Sequence, residues 1–434
     1  MLIQYRPLGR NASEISRDVE TAVREGRAQP GALLPPVRTL AAALGLSPVT
    51  VASAYRELRE KGIARGNGRA GTKITGAPPI GPRPALAVPP GARNLMVGSP
   101  DPSLLPELPS LRPQHRLYGD PPVSPRFGRL AAERFAADGI AADHLAVVGG
   151  ALDGVERVFG AWLRPGDRVA VEDPGYPPVL DLLSALDLSA VPMALDEDGV
   201  TPAALQGALA RGSTAVLFTP RAQAPTGAAW DEQRAAALAE VLAAAPGVLV
   251  IEDDHAGPVS GAAAHSVAGV ARRWATIRSV SKSIGPDLRL AVMAGDAVTV
   301  SRVEGRQALG TGWVSYQLQE MVAELWSDAS VGRTLAVAAQ VYADRGAALR
   351  SALAAHGITA TGRSGFTCWV PVTDEDGVAS SLAAAGWAVA PGQRFRIASP
   401  SGVRISFARL DEADAASFAA EFARALRHRA SRLD

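Results

Sequence analysis

The chain has 434 residues, of which 47% are apolar and 20% charged, with a formal net charge of +1. This length predicts two or three domains, each able to bury its own core. Because Cys368 is the only cysteine, a disulfide framework within the chain is excluded and a reducing cytoplasm is expected. We expect no signal peptide and no membrane span, since no uncharged apolar run reaches about 18 residues.

The charge is unevenly distributed along the chain. Residues 1–77 contain 12 Lys/Arg and 6 Asp/Glu, whereas the remainder contains 32 and 37. A basic end on an acidic body indicates an anionic partner for that end, with nucleic acid the first candidate. A solvated basic face is the alternative, which charge alone does not exclude.

The first 76 residues show three helical patterns and a hairpin pattern. A helix is predicted over 12–26, with Ser13 as its N-cap and Gly26 as its stop. After an extended, turn-rich connection at 30–36, a short helix ends at Gly45 and another begins at Ser47-Pro48. Two helices joined by a short glycine-containing turn are typical of a helix-turn-helix. Residues 63–74 then predict two short strands around a glycine-rich turn.

These segments resemble the winged helix-turn-helix of GntR-family bacterial regulators. The resemblance rests on LPPVRTLA at 34–41, LGLSPVTV at 44–51, AYREL at 54–58 and GRAGT at 68–72. It implies that residues 47–60 form a recognition helix in the major groove of DNA and that the 65–73 hairpin is the wing. The DNA-contact candidates, many of which would hold phosphate, are Arg38, Ser47, Thr50, Tyr55 and Arg69. Tyr55 has a core position as its alternative, and Pro48 replaces a frequent arginine of the family.

A proline-rich stretch separates this head from the rest of the chain. Six of the thirteen residues from Pro78 to Pro90 are proline, a density that favours an extended, semi-rigid spacer. The predicted domains are therefore a DNA-binding head at 1–76, a linker at 77–92 and an effector body at 93–434.

From about residue 93, short apolar runs alternate with helical segments such as 231–245. The strand-length runs are 145–148, 168–171, 215–218, 248–251 and 275–278. This alternation predicts an α/β body with a mainly parallel sheet covered on both faces. In such sheets, ligands bind beyond the carboxyl ends of the strands.

A polar loop follows each of these runs, and the last loop contains a lysine. The loops are GGALDG at 149–154, EDPGYP at 172–177, TPRAQAPTG at 219–227, EDDHAG at 252–257 and SVSKSIGPDLR at 279–289. A lysine amine forms a Schiff base with an aldehyde cofactor. Neighbouring hydroxyls, Arg289 and the helix start at Gly150 are suited to bind a phosphate. An ordinary charged surface loop is the alternative for the lysine segment alone.

The ordered set of five loops resembles fold-type-I pyridoxal-phosphate (PLP) enzymes, the aspartate aminotransferase-like group, over about 93–430. Behind a GntR head, it resembles the MocR-type regulators. The resemblance implies a smaller C-terminal α+β subdomain and an internal aldimine between Lys282 and PLP. It also implies a homodimer in which Tyr118 reaches the phosphate of the neighbouring subunit. The implied cofactor-binding residues are Gly150, Ala151, Leu152, Tyr176, Asp253, His255, Ser279, Lys282, Arg289 and Tyr118.

Three features bear on whether the body is an enzyme. Arg404, in an alternating strand at 402–408, fits the family arginine that binds the carboxylate of an amino acid, with an exposed strand arginine as the alternative. Ala224 replaces the asparagine, and His255 the tyrosine, that contact the phenolic oxygen of the cofactor. The segment 123–128 lacks the usual pattern of the family. Efficient transamination is therefore less expected than binding.

Three interpretations remain open at this point. The first is a cytoplasmic, nucleoid-associated transcriptional regulator that binds double-stranded DNA and senses PLP, an amino acid or an amine, without a metal or a membrane. The second is an active PLP aminotransferase. The third is a DNA-binding regulator whose body no longer binds PLP. An aldimine absorption band separates the first two from the third, and amino-donor turnover separates the first from the second.

Overall fold

The computed structural model describes residues 5–60, 62–66, 71–75, 88–110 and 115–433. The chain divides into two compact units, one made mainly of the N-terminal residues and the other mainly of the residues from 86 onwards. Most of the predicted linker at 77–92 lies outside the described residues, so its boundaries stay predictions. From residue 88 onwards, a turn leads to a strand that begins at Arg93.

The head contains three helices and a small antiparallel sheet. The helices are α1 Ala12–Arg24, α2 Val37–Leu44 and α3 Pro48–Glu60. The strands are β1 Leu33–Leu34, β2 Ala64–Gly66 and β3 Thr72–Ile74, in the order β1-β3-β2. The helices α2 and α3 are bent by 120° relative to each other, which is the arrangement of a helix-turn-helix.

The ends of the head helices follow local sequence signals. The side chain of Asn11, rather than the predicted Ser13, caps α1 by accepting from the backbone N–H of Glu14 at 2.9 Å. Gly45 ends α2 in the left-handed region, at φ +67°. The hydroxyl of Ser47 accepts from the N–H of Thr50 at 3.1 Å, which confirms the predicted cap of α3.

Strand β1 was not predicted, because two residues between proline-rich turns are too few to show periodicity. Leu33 and Leu34 pair with Lys73 and Thr72 in the sheet. The predicted hairpin is confirmed by the pairing of β2 with β3, in which Arg65 lies opposite Lys73. Its turn, with Arg69, falls at residues 67–70, outside the described residues.

The centre of the body is an eight-stranded sheet in the order β5-β12-β11-β10-β9-β6-β7-β8. Its strands are β5 Leu145–Val148, β6 Arg168–Asp173, β7 Ser189–Asp196, β8 Gly199–Val200, β9 Ala215–Phe218, β10 Leu249–Asp254, β11 Arg273–Ser279 and β12 Ala291–Gly295. Strands β6, β9, β10 and β11 are parallel, and β12 is antiparallel to both neighbours. The prediction of a mainly parallel sheet is confirmed.

Helices connect and cover these strands. They are α4 Pro125–Ala137, α5 Ala151–Trp162, α6 Pro177–Ala185, α7 Pro202–Ala210, α8 Glu232–Ala243 and α9 Ala297–Ala308. Strand β9 is buried along its whole length, which is why its sequence is a continuous apolar run without alternation. Strands β10 and β11 extend beyond the predicted runs and carry Asp253 and Ser279 at their carboxyl ends.

The C-terminal part forms the smaller α+β subdomain that the family resemblance implied. Its helices are α10 Tyr316–Ser327, α11 Ala329–Ala354, α12 Glu375–Ala384 and α13 Glu412–Leu433. Strands β13 Thr367–Pro371, β15 Ala390–Pro391 and β16 Gly402–Ser406 form an antiparallel sheet. Strand β4 Arg93–Asn94 pairs in parallel with β14 Trp387–Ala388, so the start of the body returns to this subdomain.

Among the described residues, no single helix is long and apolar enough to cross a membrane, and only the bent pair α2–α3 meets the length and composition criteria jointly.

Candidate functional site

Lys282 lies in the loop that follows β11, at the carboxyl edge of the sheet. Its Nζ donates a hydrogen bond to the carbonyl oxygen of Gly98 at 2.6 Å and lies 5.8 Å from the ring centroid of Phe366. Burial, together with the positive charge of Arg404, lowers the pKa of the Lys282 amine to about 8. A neutral amine is the nucleophilic form, so this lysine is primed to react with a carbonyl group near neutral pH.

Asp253 is the second distinctive group of this edge. Its Oδ1 is buried and has no hydrogen-bonding partner among the described residues. Burial, followed by the negative charges of Asp254 and Glu172, raises the pKa of Asp253 to about 7. An unpartnered buried carboxylate is costly, so this oxygen is suited to accept a hydrogen bond from a ligand N–H group.

Asp254, the next residue along β10, is fully paired. Arg221 binds both of its carboxylate oxygens at 2.8 Å, and the Nε of Arg278 lies 3.1 Å from Oδ2. Although burial opposes ionisation, these hydrogen bonds and charges hold the pKa of Asp254 below its ordinary value. Successive side chains of a strand point to opposite faces. The carboxylate of Asp254 is therefore bound by arginines on one face, whereas Oδ1 of Asp253 on the other face can accept a hydrogen bond from a ligand.

The start of α5 forms a cradle for an anion. Gly150 adopts φ +110°, and a Cβ at this position would lie 2.8 Å from Nη2 of Arg289. The same Nη2 donates to the carbonyl oxygen of Gly149 at 3.2 Å. Strand β12 pairs Ala291 with both Val148 and Ser279, so the adjacency of β5, β12 and β11 brings these groups together.

Two hydroxyls complete this end of the site. The Oγ atoms of Ser279 and Ser281 are 2.9 Å apart, and the Ser279 hydroxyl also accepts from the N–H of Ser281 at 3.2 Å. The N-terminus of α5 has no side-chain cap at Gly150. Free backbone N–H groups, a guanidinium and hydroxyls are the donors that phosphate prefers.

Arg404 lies on β16, in the sheet of the C-terminal subdomain. It is 8% exposed, its Nε has no partner among the described residues, and its guanidinium carbon lies 4.8 Å from the ring centroid of Phe395. Burial lowers the pKa of Arg404 to about 10, which still leaves it cationic. A buried cation of this kind is suited to bind a carboxylate, and the alternative of an exposed strand arginine is wrong.

Tyr176 follows the β6 loop and is 44% exposed. Burial of its hydroxyl, and then the negative charge of Asp253, raises the pKa of Tyr176, while Arg404 and Arg289 act in the opposite direction. The charges of Asp253 and Arg404 therefore act on the Tyr176 hydroxyl in opposite directions.

The two altered loop positions behave differently. Ala224 brings no polar side chain, and its loop is held by Gln223, whose Nε2 donates to Glu172 at 3.0 Å and to the carbonyl oxygen of Pro174 at 2.9 Å. Burial, with the positive charge of Lys282, lowers the pKa of His255 to about 4. A neutral imidazole that donates from one nitrogen offers an acceptor at the other.

In the head, Arg38 and Ser47 are exposed, and the hydroxyls of Ser47 and Thr50 are 2.8 Å apart at the start of α3. The prediction that Tyr55 contacts DNA is wrong. It is 1% exposed in the core of the head, because it continues the apolar stripe of α3, and its hydroxyl donates to the carbonyl oxygen of Pro35 at 2.7 Å. Arg69 lies outside the described residues.

Comparison with known proteins agrees with the division of the chain into a head and a body. Residues 11–74 match the family of bacterial regulatory proteins called gntR, and residues 103–422 match aminotransferase class I and II. The chain is 38% identical over 429 residues to the vitamin B6 salvage pathway transcriptional repressor PtsJ of Salmonella typhimurium, covering 96% of this chain and 99% of that protein.

The chain belongs to the MocR-type transcriptional regulators. This MocR-type regulator is also 29% identical over 258 residues, 56% of each chain, to the pyridoxine biosynthesis transcriptional regulator PdxR of Corynebacterium glutamicum. Its fold is similar to that of the Thermus thermophilus α-aminoadipate aminotransferase LysN, solved with N-(5'-phosphopyridoxyl)-L-leucine. The TM-score is 0.68 at 19% identity, over 79% of this chain and 94% of that one.

The side chains of the MocR-type regulator fit a phosphorylated pyridine aldehyde. The cradle at Gly150 with Arg289 suits the phosphate, the buried unpartnered oxygen of Asp253 suits a ring N–H, and the Lys282 amine suits the aldehyde. Gly150 comes from the loop after β5, Asp253 from the end of β10, and Lys282 and Arg289 from the loop between β11 and β12, along one edge of the sheet.

Sequence reasoning missed several groups that shape this site. Glu172 and Gln223 lay within recognised loops, and their position at strand ends was a usable signal. Gly98 and Phe395 had no such signal, because their contacts with Lys282 and Arg404 are set by tertiary packing. Tyr118 is 93% exposed with its ring edge-to-face with Trp313 at 5.6 Å, and its role towards a partner subunit stays a prediction.

Proposed function

We propose that this MocR-type regulator binds operator DNA through its head and senses pyridoxal 5'-phosphate through its body. The observation that carries the proposal is the partly buried Lys282 amine, with its pKa lowered to about 8, at the same sheet edge as the buried Oδ1 of Asp253, which has no hydrogen-bonding partner among the described residues. The relatives PtsJ and PdxR are named for the regulation of vitamin B6 salvage and pyridoxine biosynthesis, which supports the same ligand class here.

Each group has a role that follows from its chemistry. When bound, PLP supplies an aldehyde that reacts with amines and an electron-withdrawing pyridine ring. Lys282 would hold the aldehyde carbon through a C=N bond to its neutral amine, with the aldehyde oxygen leaving as water. The carboxylate of Asp253 accepts a hydrogen bond from the ring N–H and thereby keeps the ring protonated. Tyr176 covers one face of the ring.

The phosphate is held at the other end of the site. Arg289 and Ser279 donate to it, together with the backbone N–H groups of Gly150, Ala151 and Leu152 at the start of α5. Tyr118 completes this end from the neighbouring subunit of a homodimer. Arg404 binds the carboxylate of an amino acid effector.

We propose sensing rather than turnover as the task of the body. Ala224 cannot donate to the phenolic oxygen of the cofactor, and a neutral imidazole, that of His255, stands in place of the usual tyrosine hydroxyl. Two usual stabilising donors are therefore absent, a loss of about 1–3 kcal/mol for each hydrogen bond. Binding survives this loss because the phosphate, ring nitrogen and lysine contacts remain.

The head supplies the DNA-binding function. Arg38, Ser47 and Thr50 lie on α2 and at the start of α3, and Arg69, outside the described residues, stays a predicted contact. Ligand binding in the body then changes the affinity of the head for DNA, which is a coupling free energy between two sites.

The test is a visible absorption spectrum of the purified protein with added PLP, before and after borohydride reduction. In the wild type, we expect an absorption band from covalently bound PLP, and borohydride should make this attachment irreversible. Lys282→Ala should show no such band. Without PLP, the same variant should bind DNA with the affinity of the PLP-free wild type, since its head is unchanged. A wild type without any band would overturn the cofactor proposal, and rapid turnover of amino donors would overturn the assignment as a sensor.

A further inference from the structure

Asp173, the last residue of β6, uses its carboxylate to hold a distant loop. This carboxylate is buried, with the residue 4% exposed. It accepts from the backbone N–H groups of Ile397, Ala398 and Ser399 at 2.9, 2.7 and 2.8 Å, and from the Ser399 hydroxyl at 2.8 Å. Hydrogen bonds to a charged acceptor are stronger than neutral ones, so the four bonds fix this loop to the end of β6.

A second contact joins the same two loops. The N–H of Gly175 donates to the carbonyl oxygen of Phe395 at 2.8 Å. A side chain at Gly175 would collide with the carbonyl of Glu172, so glycine is required for the tight turn that carries this N–H. The loop that begins with Asp173 is fixed in turn, because the carbonyl of Pro174 accepts from Gln223.

The loop held by Asp173 leads directly to the buried arginine of the site. Phe395 precedes residues 397–399, and its ring lies under the guanidinium of Arg404 at 4.8 Å. Because Nε of Arg404 has no hydrogen-bonding partner among the described residues, packing on this ring is a main support for the guanidinium. In the loop after β6, Tyr176 lies three residues after Asp173 and is electrostatically coupled to Arg404.

We propose that Asp173 is a positioning residue for carboxylate recognition: by holding residues 397–399 and Phe395, it sets the place of the Arg404 guanidinium that receives the effector carboxylate. This inference rests on the proposed function, which supplies the cofactor and the amino acid. It predicts that loss of Asp173 weakens binding of ligands that carry a carboxylate and spares those that carry only an amine.

The experiment uses the full-length protein loaded with PLP and two probes, L-alanine and ethylamine. Both present a primary amine, and only L-alanine presents a carboxylate. The change in the visible band reports each affinity, and their ratio isolates the carboxylate contact. We expect Asp173→Ala to lower the affinity for L-alanine about tenfold or more, while the affinity for ethylamine and the PLP band stay within about twofold of wild type. Asp143→Ala, which removes an exposed carboxylate outside the site, should change neither.

Two further variants make the result independent of folding. Asp173→Asn keeps one carbonyl acceptor and should restore part of the preference for L-alanine. Ser399→Ala removes one of the four donors and should lower the preference in the same direction by a smaller factor, and it decides the question if Asp173→Ala does not fold.

An unchanged ratio in a folded Asp173→Ala, or in Ser399→Ala when that variant decides, would overturn the inference. So would a wild type that forms the trapped PLP band and binds both probes equally, although the cofactor proposal would then stand. A wild type without the band would remove the proposed function itself.

Discussion

In the head, Arg38 and Ser47, which are assigned to DNA, are exposed. In the body, Lys282 and Asp253, which are assigned to the aldehyde and the ring nitrogen, are partly buried, and burial shifts the pKa of Lys282 to about 8 and that of Asp253 to about 7. The two regions therefore use charge differently. A polyanion in water is bound by exposed charges acting together, whereas covalent chemistry with an aldehyde needs an enclosed amine whose proton is easily lost.

The largest effect that would sharpen this comparison is expected at the anion cradle. Replacing Arg289 with alanine removes a guanidinium from the start of α5, and the affinity for PLP should fall about 10- to 100-fold. Pyridoxal, which lacks the phosphate, should bind the variant and the wild type alike. Fluorescence or absorbance titration with both compounds measures this, with the exposed Arg129→Ala as control. Equal losses for both compounds would place Arg289 outside the phosphate contacts.

A second effect concerns the head alone. We expect Arg38→Ala to weaken DNA binding on all sequences and to lower the slope of log affinity against log salt by about 0.9, because one phosphate contact is lost. Binding assays across a salt series measure this slope. The PLP band should stay unchanged. A variant that weakens binding without altering the slope would contradict a phosphate contact.

A smaller effect is expected in the pH dependence of the body. The rate of PLP attachment should rise with pH, with a midpoint near the Lys282 pKa of about 8, because only the neutral amine attacks. Arg404 lowers this pKa through its charge, so Arg404→Leu should move the midpoint upwards, by up to about one pH unit. Stopped-flow absorbance at a series of pH values measures it, and the exposed Arg409→Leu should leave the midpoint in place. A downward shift would contradict the stated coupling.

The smallest effect separates packing from function in the head. Tyr55→Phe removes the hydrogen bond to the carbonyl of Pro35 and should lower the free energy of unfolding of the head by about 1 kcal/mol. Thermal or denaturant unfolding measures this change. Since the ring lies in the core, the affinity of the folded protein for DNA should not change, and a clear loss of affinity at unchanged stability would return Tyr55 to the interface.

The sequence predicted what depends on local pattern. The apolar stripe of α3, the cap at Ser47 and the loop positions at strand ends are encoded within a few residues of one another. The contact of Lys282 with Gly98 joins positions 184 residues apart, and no periodicity announces such a contact. Tyr55 shows a second limit of prediction from sequence. An amphipathic tyrosine in a recognition helix fits both a core and an interface until its neighbours are known.

The alternation of carboxylates at the end of β10 has a consequence for how the chain reaches its native pairing. Glu252 accepts hydrogen bonds from Ser266 and Thr276, Asp254 is bound by Arg221, and only Asp253 between them is unpartnered among the described residues. A shift of β10 by one residue against β9 and β11 would turn each of these side chains to the opposite face. Two acids would then lose their partners, and Arg221 would lose its counter-ion. Mispaired intermediates are therefore penalised electrostatically, because only the correct alignment pairs both Glu252 and Asp254 with their donors.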